Sequence, residues 1–322
     1  MQKRRLIAWM FAAGTVIPGT DAVVAQNYPS KPVRIVTAAA GGSPDFVSRM
    51  IAQGISGPLG QQVIVDNRSS GIIPAEIVAR APPDGYTLLV TSNVLWIVTL
   101  MQKTPYDPVK DFSPISLTNQ APAVLVVHPS VPAKSVRELI ALARSRPGEL
   151  NYSSSTNGTA SHLAGELFKT MAGVDIVRIA YKGAGLAIND LISGQVQLTF
   201  VTATSVMPHV KSGRLRALAV TSARPFALFP ELPTVADSGI PGYEATSVGC
   251  VLAPARTSEA IIQRLHQEIV RFLSTNETRE KFFSSGSEVV GGTPEHLAAA
   301  MKSEMARMDK VIRNAGILEA KD

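Results

Sequence analysis

Residues 151–171 read NYSSSTNGTASHLAGELFKTM, and the order of residue types in this stretch decides how the chain folds. It divides into a short apolar strand end, a run of small polar residues and an amphipathic helix. Leu163, Leu167, Phe168 and Met171 recur at i, i+4, i+5 and i+8, one face of a helix. Ser153, Ser154, Ser155, Thr156, Asn157, Gly158, Thr159 and Ser161 gather where that helix begins. A helix start leaves backbone N–H groups without partners and carries partial positive charge. Surrounded by hydroxyls and a glycine, it can receive a carboxylate or phosphate. The same residues also serve as ordinary N-caps and loop formers.

A second stretch of the same kind favours the ligand reading. Val33–Ala38, VRIVTA, has the composition of a short buried strand, and AAGGSPD (39–45) follows as a small-residue turn. Phe46, Val47, Met50, Ile51 and Ile55 then form a helical stripe. Gly41 and Gly42 let backbone approach a ligand where a Cβ would intervene. The turn is neither GxGxxG nor a Walker A loop, because no lysine follows the glycines. Two strand–turn–helix cradles predict a ligand held between two lobes.

Composition agrees with an exported globular protein. Of 322 residues, 45% are hydrophobic and 17% charged, enough for one large or two medium domains. Lys3, Arg4 and Arg5 precede an apolar run, Leu6–Ile17, too short to span a bilayer. Val23-Val24-Ala25 supplies small residues for cleavage, so residues 1–25 read as a secretory signal peptide and place the mature chain in the periplasm. That segment carries Asp21 beside its three cations, which leaves +4 of the formal +6 on the mature chain. The charge is dispersed, and no nucleic-acid partner is expected. Cys250 is the single cysteine, so core burial rather than a disulfide must supply stability.

Strand and helix signals alternate along the chain, which predicts an α/β class with mainly parallel sheets. The apolar run 123–127 and the strand 247–252 are the expected crossings between lobes. Lobe 1 then comprises 26–126 and 238–322, and lobe 2 comprises 127–237. Such a two-lobed protein with a cleft suits hinge closure on a ligand.

Catalytic chemistry finds little support. The five histidines do not fall in metal-ligand spacing, no GxSxG elbow occurs, and neither a metal nor a cofactor is expected. His162 beside Ser161 suggests a base near a hydroxyl, but no partnering carboxylate is evident. Asp45 and Asp190 form a conceivable carboxylate pair, although helix-end capping accounts for each. No enzymatic activity is expected.

At the level of motifs the chain resembles the extracytoplasmic receptors of tripartite tricarboxylate transporters, the Bug receptors. The resemblance rests on YPSKPVRIV (28–36), GGSPDFVSR (41–49), APPDGYTLL (81–89), PYDPVKDFSPISL (105–117), VVHPSVPAKSVRELIALA (126–143), NYSSSTNGTASHLAGELFK (151–169), YKGAGLAINDLISGQVQL (181–198), GRLRALAVTS (213–222) and LAPARTS (252–258). It implies a two-lobed periplasmic binding protein fold with two crossings, acting as a monomer. It also implies a small carboxylate as ligand and, as partner, a membrane permease or, alternatively, a signalling protein.

Carried onto this chain, the lobe-1 cradle is Ala38, Ala40, Gly41, Gly42, Ser43, Pro44 and Asp45. The lobe-2 cradle is Ser155, Asn157, Gly158, Thr159 and Ser161. Charge-assisted hydrogen bonds contribute ~1.5–3 kcal/mol each, so three or four supply much of the ~8 kcal/mol of a micromolar affinity. The chain also departs from the family pattern. Ala38, Ala40 and Ser43 replace an aromatic, a proline and a glycine. Val201 stands where an aspartate is common, and Val248 where a tryptophan is usual. The loop SSGIIP (69–74) is short. These changes imply a ligand without an α-ammonium group. Small walls at Ala38, Val248 and Gly249 imply a bulkier one, with Trp96 restoring one wall.

Overall fold

The computed structural model describes residues 28–68, 72–155, 159–181 and 184–314. The expected signal peptide lies outside them, as do Asn157 and Gly158.

The first lobe is built on β1 (Val33–Thr37), whose Val33, Ile35 and Val36 are fully buried. Strands β2 (Val63–Asn67) and β3 (Thr87–Ser92) flank it, both parallel to it. Parallel neighbours require crossover connections, here through α1 (Ser43–Leu59) and α2 (Ile72–Ala79). Helix α3 (Val94–Met101) follows β3 and gives no periodic signal in sequence. Leu95, Trp96, Ile97, Val98 and Met101 are all buried, and a helix apolar on every side shows no stripe.

Strand β4 (Phe112–Val127) belongs to both lobes. From Phe112 to Pro122 it pairs with β9 (Thr246–Pro254). From Ala123 to Val127 it pairs with β7 (Leu198–Thr202) and β8 (Arg216–Val220). The strand starts earlier than the three-proline loop around Pro105–Pro114 suggests. Pro114 is accommodated where the ladder slips register between Pro114 and Ser116.

Lobe 2 adds α4 (Val136–Ser145), β5 (Asn151–Ser154), α5 (Ala160–Ala172), β6 (Val177–Ala180), α6 (Ala184–Ile192) and α7 (Ala203–Lys211). Strand β5 runs parallel to β6 and β7. After β9 the chain returns to lobe 1 as α8 (Glu259–Leu273), α9 (Asn276–Ser284), β10 (Glu288–Val289) and α10 (Pro294–Asn314). Helix α10 packs on α3 and β4 and also reaches α5.

The expectation of mainly parallel sheets needs correction. Strand order β2-β1-β3-β9-β4-β7-β5-β6 is parallel on its two flanks and antiparallel across the middle. The cause is topological: β4 carries the chain out of lobe 1 and β9 carries it back, so the two run side by side in opposite senses. Both sheets are covered on two faces. In lobe 1, Ile35, Val47, Ile51, Leu265 and Ile269 fill one side and Val36, Leu89, Cys250 and Leu297 the other. In lobe 2, Leu163 faces the lobe-1 side of the core, Leu167 and Phe168 pack within the lobe, and Met171 is 38% exposed at the end of the predicted stripe.

Candidate functional site

Both cradles form at the C-terminal ends of parallel strands, where open α/β sheets bind ligands. In lobe 1, β1 ends at Thr37, whose Oγ1 donates to the Val90 carbonyl at 2.8 Å. The chain then turns through exposed Ala39, Ala40, Gly41, Gly42 and Ser43 into α1. Gly41 takes φ +86°, a left-handed conformation that favours glycine. Gly42 is the N-cap, with no side chain to cover the helix start, and Pro44 in the first turn has no N–H. The backbone donors of Gly42 and Ser43 therefore stand at an open, positive helix end.

Asp45 supports this loop from behind. It is buried, and its Oδ2 accepts the Gly41 N–H at 2.9 Å. Its Oδ1 accepts Asn67 Nδ2 at 2.9 Å and pairs with Arg49 Nε at 2.9 Å. Burial opposes the carboxylate charge, yet the hydrogen bonds from Gly41, Asn67 and Arg49 outweigh it and hold the pKa below the ordinary value. Asp45, expected among the ligand contacts, is thus committed to holding the loop.

In lobe 2, β5 ends at Ser154, whose carbonyl accepts the Tyr181 N–H at 2.9 Å. The Ser155 N–H donates to Ser161 Oγ at 3.1 Å. Thr159 is the N-cap of α5, and its Oγ1 lies 3.3 Å from Ser161 Oγ. The helix can lie close to the strand because residue 165 is glycine: a Cβ there would sit 2.2 Å from Tyr152 Cε2. Tyr152 donates to Glu166 Oε1 at 2.5 Å, and Glu166 pairs with Lys169 at 3.2 Å. Burial, then the charge of Arg178, pushes the His162 pKa down to about 4, so the imidazole is neutral at neutral pH. Neighbours i and i+1 do not share a helix face, and Ser161 Oγ already holds Ser155, which leaves the His162–Ser161 pairing without support. Asp190 accepts the Tyr181 hydroxyl at 2.7 Å, a local task that separates it from Asp45.

Several proposed walls are placed elsewhere. Trp96 is 1% exposed, and its Nε1 donates to Glu304 Oε2 at 3.0 Å. It is a core residue of α3 and α10, so it does not line an open cleft. Asn93 Nδ2 donates to Glu304 Oε1 at 2.8 Å and to the Thr246 carbonyl at 3.0 Å. Burial raises the Glu304 pKa. The adjoining cavity, bounded by Asn93, Leu163, Thr246, Glu304 and Arg307, measures about 20 Å³, room for a water and too little for a dicarboxylate. Gly249 adds no ligand volume either. A Cβ there would meet Asn119 Oδ1 at 2.3 Å and Thr118 Oγ1 at 2.5 Å, so those side chains fill the space. Val248 packs on the same core cluster as Trp96. Val201, by contrast, stays near the lobe-2 strand end: it sits opposite Val124 and two residues beyond Thr199, which pairs with Ser153 of β5.

One residue beside the lobe-2 helix start escaped the sequence reading. Arg178 on β6 donates through Nε to Ser154 Oγ at 2.7 Å and through Nη2 to the Ser155 carbonyl at 2.9 Å. Only the strand register, Tyr152 opposite Arg178, brings it to the cradle.

A family model described as tripartite tricarboxylate transporter family receptor matches residues 47–317. The chain belongs to this family. BugT of Bordetella pertussis is 35% identical, with 98% of this chain and 99% of BugT aligned. Among solved structures, R. palustris Rpa4515 with adipate shares 37% identity at TM-score 0.80, covering 90% of this chain and 98% of that one. The periplasmic binding protein BugD shares 31% identity at TM-score 0.77, covering 90% and 99%. MatC of Rhodopseudomonas palustris with bound malate shares 27% identity at TM-score 0.77, covering 88% and 100%. The receptor family thus shares the two-lobed periplasmic binding protein fold described above, and its members are solute receptors rather than enzymes. Among the described residues, no helix is long and apolar enough to cross a membrane.

Proposed function

We propose that this receptor is a non-catalytic monomer, exported to the periplasm by cleavage of residues 1–25. It takes a small organic carboxylate between the two lobes, which exchange along β4 and β9, and delivers it to a tripartite tricarboxylate-type permease. The observation that carries this reading is the paired construction of the cradles. In each lobe the backbone that leaves a parallel strand is anchored by a residue in the first turn of the following helix: Asp45 on Gly41 and Ser161 on Ser155. Ala38, Ala40, Gly41, Gly42 and Ser43 would face Ser155, Asn157, Gly158, Thr159 and Ser161 across the ligand. Relatives with bound adipate and malate support the carboxylate class.

The ligand carries no α-ammonium group in this reading. Val201 packs among apolar neighbours and offers an ammonium no counter-charge. An unpaired ammonium would lose its hydration at a cost of several kcal/mol.

A thermal-shift screen of carboxylates tests the proposal. A ligand at one hundred times its Kd adds ~2.7 kcal/mol to native stability, which raises the melting temperature by several degrees. The hit should be recovered chemically intact. Absence of any stabilising carboxylate, or turnover of the hit, would refute the reading.

A further inference from the structure

A carboxylate site at a strand end has an adversary in its own backbone, because the carbonyls leaving the strand carry partial negative charge. Both lobes turn them aside in the same way. In lobe 1, Thr37 C=O accepts the Arg68 N–H at 2.9 Å, and Ala38 C=O accepts Asn67 Nδ2 at 2.8 Å. In lobe 2, Ser154 C=O accepts the Tyr181 N–H at 2.9 Å, and Ser155 C=O accepts Arg178 Nη2 at 2.9 Å. In each case the first carbonyl beyond the strand is captured by a side chain from the adjacent parallel strand, β2 or β6.

The two captures differ in charge. Asn67 is neutral and bridges to Asp45, which is itself paired with Arg49. Arg178 is a cation on the α5 face of the sheet, opposite Tyr152 and reaching Ser154. Its charge acts on both elements of the cradle: after burial it is the main influence lowering the His162 pKa, and it opposes the rise at Tyr152. Ser155 is therefore fixed at both ends, its N–H on Ser161 and its C=O on Arg178.

We propose that Arg178 is the positioning residue of the lobe-2 half of the site, and that it gives that half its positive charge. This deepens the receptor reading and rests on it. Two directed donors from one planar group are required, so lysine, a point charge with a flexible stem, does not replace arginine here. The glutamine variant removes the charge as well.

The test compares wild type, Arg178→Lys and Arg178→Gln, each checked for an intact melting transition. Without ligand, the Ser155 carbonyl ¹³C resonance should move in both variants. With adipate as the titrant, both should bind about tenfold or more weakly, as expected for loss of one charge-assisted bond. The lysine variant should keep the wild-type dependence on ionic strength, and the glutamine variant should flatten it. An unmoved Ser155 resonance, or a lysine variant with wild-type adipate affinity, would overturn the proposal. A wild type that binds no carboxylate would sink the receptor reading instead, while the Ser155 resonance would still decide whether Arg178 holds the loop.

Discussion

Replacing Gly42 with valine separates the lobe-1 cradle's role in binding from its role in folding. Gly42 has φ −91° and ψ 171°, an extended conformation that a β-branched residue adopts readily. A Cβ built there finds only Pro44 Cδ at 3.7 Å and the Ala39 carbonyl at 3.8 Å, ordinary contacts. The fold should therefore tolerate the change, while the branched side chain stands over the helix start where ligand oxygens meet backbone donors. Losing two charge-assisted hydrogen bonds at ~1.5–3 kcal/mol each removes ~3 kcal/mol or more, a roughly hundredfold rise in Kd. Titration calorimetry with the best carboxylate measures the loss, and a melting curve shows that the protein is folded. Gly41→Val supplies the contrast. Its φ of +86° puts a non-glycine residue in the left-handed region, at a cost of ~1–2 kcal/mol in stability before any ligand is added. A folded Gly42→Val protein with unchanged affinity would remove lobe 1 from the site.

Gly165→Ala should destabilise lobe 2 by ~1–3 kcal/mol, seen as a lower melting temperature, because its Cβ would lie 2.2 Å from the buried Tyr152 ring. Asp45→Asn should flatten the acid limb of the stability curve. The folded pKa of Asp45 lies below its ordinary 3.8, so its contribution is present above 3.8 and is lost as pH falls through the folded value. Glu304 has the opposite sign. Its pKa is raised above 4.5, so its favourable contribution is present below 4.5 and fades as pH rises through the folded value. The melting temperature of wild type relative to Glu304→Gln should fall over that interval, and a constant difference would contradict the burial argument.

The two strand–helix units were legible because each places small residues between a strand signal and a helical stripe, a local pattern. The long helices α8 and α10 were legible for the same reason, with Ile261, Ile262, Leu265 and Ile269 buried on one face of α8. Helix α9 escaped because it buries little beyond Thr278 and Phe282. Its N-cap on Thr275 and the edge contact of Phe282 with Phe46, 5.3 Å between centroids, hold it in place. The antiparallel centre of the sheet escaped because strand direction follows from the path between lobes, which no local window records. The cleft walls were misjudged for a related reason. A small residue in sequence implies space, but Thr118 and Asn119 occupy the space beside Gly249, and Glu304 draws Trp96 into the core. Arg178 needed the β5–β6 register before its charge could be placed at Ser155.

The central claim is that the cleft holds a carboxylate and offers no partner to an ammonium. Calorimetric titration of the wild-type protein with succinate against aspartate and glutarate against glutamate, with adipate alongside, tests it most directly. The account predicts saturable binding at one site, with the dicarboxylate tighter than its amino acid in each pair. Tighter binding of aspartate or glutamate, or no binding by any of the five, would contradict it.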